Sequence, residues 1–305
     1  MLAFRPLARP FRIVSDFDGV WTEPARERER VLETLEIELA SLSGEGAETV
    51  AADCREFTGA VMERPWDFGW LIGGRLSSYL DEDAFALPSA LGQFLEGDVH
   101  PKADVYRSAI LAEHATVGEF LDHCYHSTGI RFRAEVPHDL AAGAEQVLAW
   151  LQDAKVEVVF VTNAPTVKVV DWFAHHGFEV VDAAESQPGA APLRVHGRAG
   201  KQWLGDSGAT VDFGGRDLQA DRPQYRSILE AESPDFVVGD VPSLDLALPI
   251  SMRMKGEAGA PKSVGLMHLA HTPDWALANL GSGPGGIDHL LPHVTSLPRV
   301  VASEM

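Results

Sequence analysis

The sequence has few cysteines, a shortage of positive charge and no long apolar run. Its 305 residues contain only Cys54 and Cys124, which cannot form a disulfide framework. No apolar stretch approaches the roughly 20 residues that a membrane-spanning helix requires. The N-terminus also lacks the apolar segment of a signal peptide. We therefore expect a soluble, cytoplasmic protein without a membrane partner.

Positive charge is scarce relative to negative charge. The chain has 25 lysines and arginines against 45 aspartates and glutamates, which gives a formal net charge of -20. Such a chain repels a phosphate backbone, so nucleic acid is not an expected partner. A small phosphorylated ligand remains compatible with this charge, because a bound divalent cation can reverse the local field.

The sequence is rich in alternating apolar strands and amphipathic helices. Residues 11–14 are typical of a buried strand, and HDLAAGAEQVLAWLQDA, VEVVFVTNAP and TVKVVDWFAHHGF follow one another as helix, strand and helix. The segment PDFVVGDVPSLD is a later strand and turn. This alternation predicts an α/β fold with a Rossmann-like parallel sheet that is covered on both faces.

A long segment near the N-terminus has a different pattern. In PARERERVLETLEIELASL the apolar residues recur at helical spacing, and nothing from 25 to 135 alternates like a strand for long. We predict that residues 1–24 and 136–305 form one α/β domain. Residues 25–135 are then a mostly helical domain, inserted directly after the first strand.

Polar residues follow three of the predicted strands. They are Asp16, Asp18 and Thr22 after the first strand, Thr162 and Asn163 after the second, and Asp240 and Asp245 after the third. Ligands bind at the carboxyl ends of strands in an open parallel sheet, so four carboxylates are expected at one edge. A single Asp-x-Asp pair could also be a cap or a turn. Three such strand ends favour a Mg²⁺ site, because a hard cation with oxygen ligands relieves the repulsion.

These segments resemble the motifs of a known family. IVSDFDGVWT, VVFVTN and FVVGDVPSLD are similar to the first, second and fourth motifs of the haloacid dehalogenase (HAD) superfamily of phosphohydrolases. The resemblance implies a HAD-type core, and the insert lies where this family has a helical cap of the first type. It implies Mg²⁺-dependent hydrolysis of a small phosphomonoester. Dehalogenases of this superfamily lack the second aspartate, so Asp18 favours phosphoryl chemistry.

The resemblance also implies a role for each matching residue. Asp16 would be the nucleophile that forms an aspartyl-phosphate and a metal ligand. Asp18 would be the general acid and base, with its backbone carbonyl on the metal. Thr162, with backbone groups near Asn163, would bind a phosphoryl oxygen. The remaining metal ligands would be Asp240, directly, and Asp245, directly or through water.

The third motif of the family is a lysine, and its counterpart here is ambiguous. Family position indicates Arg222 in DRPQYRSIL, whereas residue type indicates Lys201 in HGRAGKQW. Both are therefore candidates for the catalytic cation. A phosphomutase and a non-catalytic HAD-like binding protein remain open as alternative functions. The substrate and the oligomeric state cannot be predicted from the sequence.

Overall fold

The computed structural model describes residues 9–97, 100–135, 138–281 and 283–305. These residues divide into two compact units, with boundaries after Glu23 and before His138. The core unit comprises the chain up to Glu23 and from His138 onward, and the inserted unit lies between them. The first eight residues of the predicted α/β domain, and positions 136 and 137 at its border, lie outside the described residues.

The elements follow one another along the chain. The core unit begins with β1 (Arg12–Ser15). The inserted unit then contains α1 (Ala25–Ser43), α2 (Ala47–Met62), β2 (Gly69–Ile72), β3 (Arg75–Tyr79), α3 (Ala86–Glu96), α4 (Pro101–Glu113) and α5 (Val117–Glu135). The core unit continues with α6 (Ala144–Asp153), β4 (Glu157–Val161), α7 (Thr166–His175), β5 (Val181–Asp182), β6 (Leu193–His196), β7 (Thr210–Phe213), β8 (Arg216–Gln219), α8 (Pro223–Glu232), β9 (Phe236–Gly239), α9 (Ala247–Lys255), β10 (Ser263–Met267), α10 (Asp274–Leu277), β11 (His289–Leu291) and α11 (Leu297–Glu304).

The core unit is built on a parallel sheet. Within the described ranges it has seven strands in the order β11-β10-β9-β1-β4-β6-β5, and every neighbouring pair is parallel. The predicted α/β fold is therefore confirmed. Since β1 lies between β9 and β4, the three strands with polar ends are adjacent, and their carboxyl ends meet at one edge.

Aromatic side chains pack beneath the end of β1. They are Phe17, Trp21, Phe160, Trp172 and Phe173, whose ring centroids lie 4.6–6.5 Å apart in the contacting pairs. Most of these pairs are edge-to-face, an arrangement worth about 0.5–1.5 kcal/mol per pair beyond the burial of area. The turn that follows β1 is thereby supported by a dense apolar cluster.

The described part of the chain contains two short hairpins, and the first of them departs from the sequence-based prediction. The inserted unit contains the antiparallel pair β2 and β3, where no strand was expected. Its turn is Gly73-Gly74, with φ of 56° and 76°, and two consecutive positive φ values suit the right-handed twist of a hairpin. In the core unit, β7 and β8 are joined in the same way by Gly214-Gly215. Two consecutive glycines therefore form the turn of each short strand pair.

A buried ion-pair network, here called the arginine network, lies against the sheet. It consists of Arg12, Glu157, Arg194, His196 and Glu232. Arg12 Nε is 2.6 Å from Glu157 Oε2, and Arg194 Nη1 is 3.0 Å from Glu232 Oε1. Burial alone would raise the pKa of Glu232, but hydrogen bonds from His196 and Arg194 hold it below its usual value. Two arginines therefore balance two glutamates.

The inserted unit has an apolar core of its own, which includes Leu35, Val50, Phe57, Tyr106 and Phe120. Helices α1 to α5 contribute to this core, and the helical spacing in the sequence predicted α1 among them. No helix in the described ranges of the chain is both long and apolar enough to cross a membrane.

Candidate active site

Carboxylates meet at the carboxyl edge of the sheet. Asp16 follows β1, and Asp240 and Asp245 follow β9. One carboxylate oxygen from each of these three residues lies within 4.8 Å of the others. Asp245 Oδ2 accepts backbone hydrogen bonds from Asp240 and Val241, at 3.1 and 3.0 Å, which fixes its position. The strand ends that the sequence indicated thus bring their acidic side chains together.

Two glycines make this close approach possible. Gly19 has a φ of +81°, and a Cβ at this position would lie 2.2 Å from Asp240 Oδ2. At Gly239 a Cβ would lie 2.3 Å from the Cβ of Asp245. Any larger residue would displace one of the carboxylates, so both glycines are required by the site rather than by the strands.

Lys201 supplies the positive charge at the centre of the cluster. Its Nζ lies 2.6 Å from Asp16 Oδ1 and 2.6 Å from Asp245 Oδ1, and its side chain is 4% exposed. The residue belongs to the loop after β6. Of the two candidate cations, Lys201 is therefore the one that pairs with Asp16.

Arg222, the other candidate cation, holds the backbone of Lys201. This residue is buried at the start of α8, and its Nη1 donates to the Lys201 carbonyl oxygen. On the other side, the Lys201 amide donates to Asn163 Oδ1 at 2.9 Å. Arg222 and Asn163 therefore bind the carbonyl oxygen and the amide of Lys201, respectively. These two hydrogen bonds fix the backbone from which the lysine side chain extends.

Thr162 lies at the end of β4, beside the end of β1. It is buried, and its Oγ1 accepts a hydrogen bond from the Ala164 amide at 3.1 Å. The Thr162 carbonyl oxygen accepts from Ala199, at 2.9 Å, in the loop that leads to Lys201. Thr162 and Asn163 thus lie at the expected edge of the sheet. Both also accept hydrogen bonds from the loop that contains Lys201.

Asp18 has a different set of partners from the other carboxylates. Thr22 Oγ1 donates to Asp18 Oδ1 at 3.2 Å, and Lys168 Nζ lies 3.1 Å from Oδ1 and 3.3 Å from Oδ2. Lys168 comes from the first turn of α7 and was not predicted from the sequence. A signal was present, because a lysine in the first turn of a helix opposes the helix dipole and calls for a compensating partner.

The electrostatics of the site favour a bound cation. Burial raises the pKa of Asp16 to about 7; Lys201 opposes this shift, whereas Asp245 and Asp18 add to it. Burial disfavours the ammonium of Lys201, but Asp16 and Asp245 raise its pKa above the usual value. The lysine therefore remains charged, while Asp16 is incompletely ionised at neutral pH. A divalent cation would favour the ionised carboxylate.

The donor set fits Mg²⁺. Asp16, Asp240 and Asp245 offer only oxygen atoms, and Mg²⁺ is usually bound by one or two carboxylates together with water and substrate phosphate. The four residues Asp16, Asp18, Asp240 and Asp245 are here called the carboxylate cluster; Lys168 pairs with Asp18, and Lys201 pairs with both Asp16 and Asp245. One ammonium does not neutralise two carboxylates, and a divalent ion would supply further positive charge.

No protein-family model and no curated protein matches this chain. It is similar to a predicted phosphatase from Clostridium acetobutylicum, at 15% identity and a TM-score of 0.42, over 97% of this chain and 100% of that one. It is also similar to the magnesium-bound HAD-hydrolase YfnB from Bacillus subtilis, at 12% identity and a TM-score of 0.46, over 96% and 99%. A 2-haloacid dehalogenase from Pseudomonas syringae is similar at 13% identity and a TM-score of 0.43, over 97% and 100%. Identities and TM-scores this low assign no role to any residue of this chain. We therefore infer the role of each residue from its contacts.

Proposed function

We propose that the protein is a HAD-superfamily phosphatase, which hydrolyses a small phosphomonoester with Mg²⁺ through an aspartyl-phosphate. One observation carries this proposal: Asp16 lies within a cluster of carboxylates and 2.6 Å from the ammonium of Lys201. A carboxylate nucleophile needs nearby positive charge, because an anionic phosphoryl group would otherwise be repelled. The resemblance of the three sequence motifs gives independent support.

The first step would transfer the phosphoryl group to the protein. An oxygen of Asp16 attacks phosphorus, the bond from phosphorus to the leaving oxygen breaks, and Asp18 gives its proton to that oxygen. Lys201 offsets the charge on the phosphoryl oxygens, and Thr162 Oγ1 donates a hydrogen bond to one of them. Mg²⁺, held by Asp16, Asp240 and Asp245 and by the backbone carbonyl of Asp18, would neutralise further charge on the phosphoryl group.

The second step would release phosphate. Asp18, now a carboxylate, removes a proton from a water molecule whose oxygen attacks the phosphorus of the aspartyl-phosphate. The bond from phosphorus to Asp16 breaks, inorganic phosphate forms, and Asp18 again carries the proton. Lys201 is the catalytic cation in this scheme, and Arg222 acts through the backbone of Lys201.

We also propose that residues 25–135 form the cap domain of this enzyme and determine which phosphomonoester is accepted. The proposal is supported by the position of the insert, directly after the motif that contains Asp16 and Asp18. It is also supported by the separate apolar core of the inserted unit, which allows its sequence to vary without disturbing the sheet. The carboxylate cluster itself belongs wholly to the core unit.

A panel of phosphomonoesters, assayed with Mg²⁺ and with EDTA, tests the function. We expect Mg²⁺-dependent release of phosphate by the wild type and a loss of kcat on the order of 10⁴-fold in Asp16→Asn, because the nucleophile is removed. Asp153→Asn is the matched control, since Asp153 is exposed at the end of α6. Failure of the folded wild type to release phosphate from any ester would refute the proposal. An isomerised product without released phosphate would indicate a mutase instead.

A further inference from the structure

Lys168 occupies an unfavourable position that its surroundings must compensate. It is 6% exposed and lies in the first turn of α7, where the helix dipole disfavours a cation. Burial of an ammonium also carries a desolvation penalty, which an ion pair can offset. The carboxylate of Asp18 lies beside Lys168 Nζ, at 3.1 and 3.3 Å. This ion pair therefore joins two residues that come from different elements.

The ammonium of Lys168 is also held from a second side. Its Nζ lies 5.7 Å from the centroid of the Trp172 ring, one helical turn further along α7. The Trp172 indole is fixed in turn, because its Nε1 donates to the Asp139 carbonyl oxygen at 3.0 Å and its ring packs edge-on against Phe17. A cation over a fixed ring is restrained in both distance and direction.

The two oxygens of Asp18 are not equivalent. Oδ1 accepts from both Thr22 and Lys168, at 3.2 and 3.1 Å, whereas Oδ2 makes a single contact within the described residues, with Lys168 at 3.3 Å. This arrangement hinders rotation of the carboxyl group, because rotation would break the two contacts of Oδ1. Oδ2 is left as the oxygen that can exchange a proton with a substrate.

We infer that Lys168 is a positioning residue for Asp18, which fixes the carboxyl group so that Oδ2 transfers the proton to and from the reacting oxygens. This inference rests on the proposed phosphatase function. Proton transfer needs a donor within hydrogen-bond reach, and a displacement of about 1 Å can lower a rate about 100-fold. Lys168 thus acts on the steps in which a proton moves and leaves phosphoryl binding unchanged.

The test compares two esters that differ in their need for a proton. An alkyl phosphate requires protonation of its leaving oxygen, whereas the phenolate of p-nitrophenyl phosphate departs without it. For Lys168→Met we expect kcat/KM on an alkyl phosphate, which reports the steps up to phosphoryl transfer to Asp16, to fall about 50-fold. On p-nitrophenyl phosphate the loss in kcat/KM should be less than about fivefold. Lys168→Arg should recover most of the loss, because it restores the positive charge.

Controls separate this effect from simple destabilisation. Lys155→Met is the matched control, since Lys155 is exposed before β4, at the opposite edge of the sheet from the site. Combined with Asp18→Asn, Lys168→Met should add little further loss, because both changes remove the same proton transfer. Circular dichroism and the Tm check that each variant is folded, and Lys168→Gln gives the same comparison if the methionine variant does not fold.

The outcomes distinguish this inference from the function on which it rests. If the wild type releases phosphate from neither ester, the proposed function fails, and this inference fails with it. If the wild type is active but the folded Lys168 variant loses the same factor in kcat/KM on both esters, only the inference is overturned. A rise in KM with unchanged kcat would likewise overturn it, because Lys168 would then be a substrate-binding group.

Discussion

The core unit has two groups of buried charge, and they are neutralised in different ways. In the arginine network, two arginines meet two glutamates. In the carboxylate cluster, Asp16 and Asp245 share the ammonium of Lys201. The first group lowers the pKa of its Glu232, whereas the second raises the pKa of its Asp16.

This difference separates a structural ion network from a reactive one. A buried charge that is fully paired has no need of a ligand, and removal of one partner mainly destabilises the fold. A buried cluster with excess negative charge is stable only with protons or a cation bound, so its charge state responds to pH and metal. Burial of charged groups alone would therefore not distinguish the candidate site from the arginine network, whereas the sharing of one ammonium by two carboxylates does.

Among the changes that test this comparison, the largest expected effect comes from removing the ammonium of Lys201 from the carboxylate cluster. Lys201→Met should lower kcat about 10³-fold, because Asp16 and the phosphoryl oxygens lose their compensating charge. Arg222→Met should lower it only about tenfold, since Arg222 contacts the Lys201 backbone rather than Asp16. Steady-state kinetics on the same ester gives both values. A larger loss in Arg222→Met than in Lys201→Met would assign the third motif to the arginine.

Disruption of the arginine network should lower the stability of the protein and leave kcat unchanged. Arg194→Met leaves Glu232 with fewer partners in a buried position, and we expect a loss of about 3 kcal/mol in the free energy of unfolding. The kcat of the folded protein should not change. Arg226→Met is the control, because its ion pair with Glu257 is partly exposed and should contribute less than about 1 kcal/mol. Urea unfolding measures both, and equal losses would contradict the distinction.

The smallest expected effect is a pH dependence of stability that originates in the raised pKa of Asp16. The pKa of Asp16 is raised to about 7 in the folded protein, so the folded state keeps a proton that the unfolded chain has lost. The resulting stability is fully present below about pH 4 and is lost as the pH rises through about 7. In EDTA, Asp16→Asn should therefore gain stability relative to the wild type between pH 5 and pH 8, by about 2 kcal/mol.

Thermal unfolding at several pH values measures this difference. The control Asp153→Asn should follow the wild type at every pH. Added Mg²⁺ should raise the Tm of the wild type most at pH 8, because the cation binds the ionised carboxylates, and should raise that of Asp16→Asn less. A constant offset between Asp16→Asn and the wild type across this range would contradict the raised pKa.

The acidic half of the site could be predicted from the sequence, and its basic half could not. Asp16 and Asp240 directly follow strands, and Asp18 and Asp245 lie in the segments just beyond them, so a local pattern and the rule for parallel sheets were enough to bring them to one edge. Lys201 lies 185 positions from Asp16 along the chain, and its contact depends on the path of a loop. Neither hydrophobic periodicity nor strand order predicts such a path, which is why both Lys201 and Arg222 remained candidates.

The hairpin of β2 and β3 and the role of Lys168 were not predicted, because the local sequence pattern of each is ambiguous. The strands β2 and β3 are too short for a convincing alternation, and their turn glycines resembled breaks. The charge of Lys168 is compatible with a solvated helix surface, and only the packing of α7 against the end of β1 buries it beside Asp18.

The sequence by itself determined the class of the fold, the order of the elements and the set of carboxylates, because periodicity and strand ends are local properties of the chain. The tertiary structure alone decided which cations face those carboxylates and which carboxylates share one cation. Ion pairing depends on distances of a few ångströms between groups that are remote in sequence, and only the packed chain sets those distances.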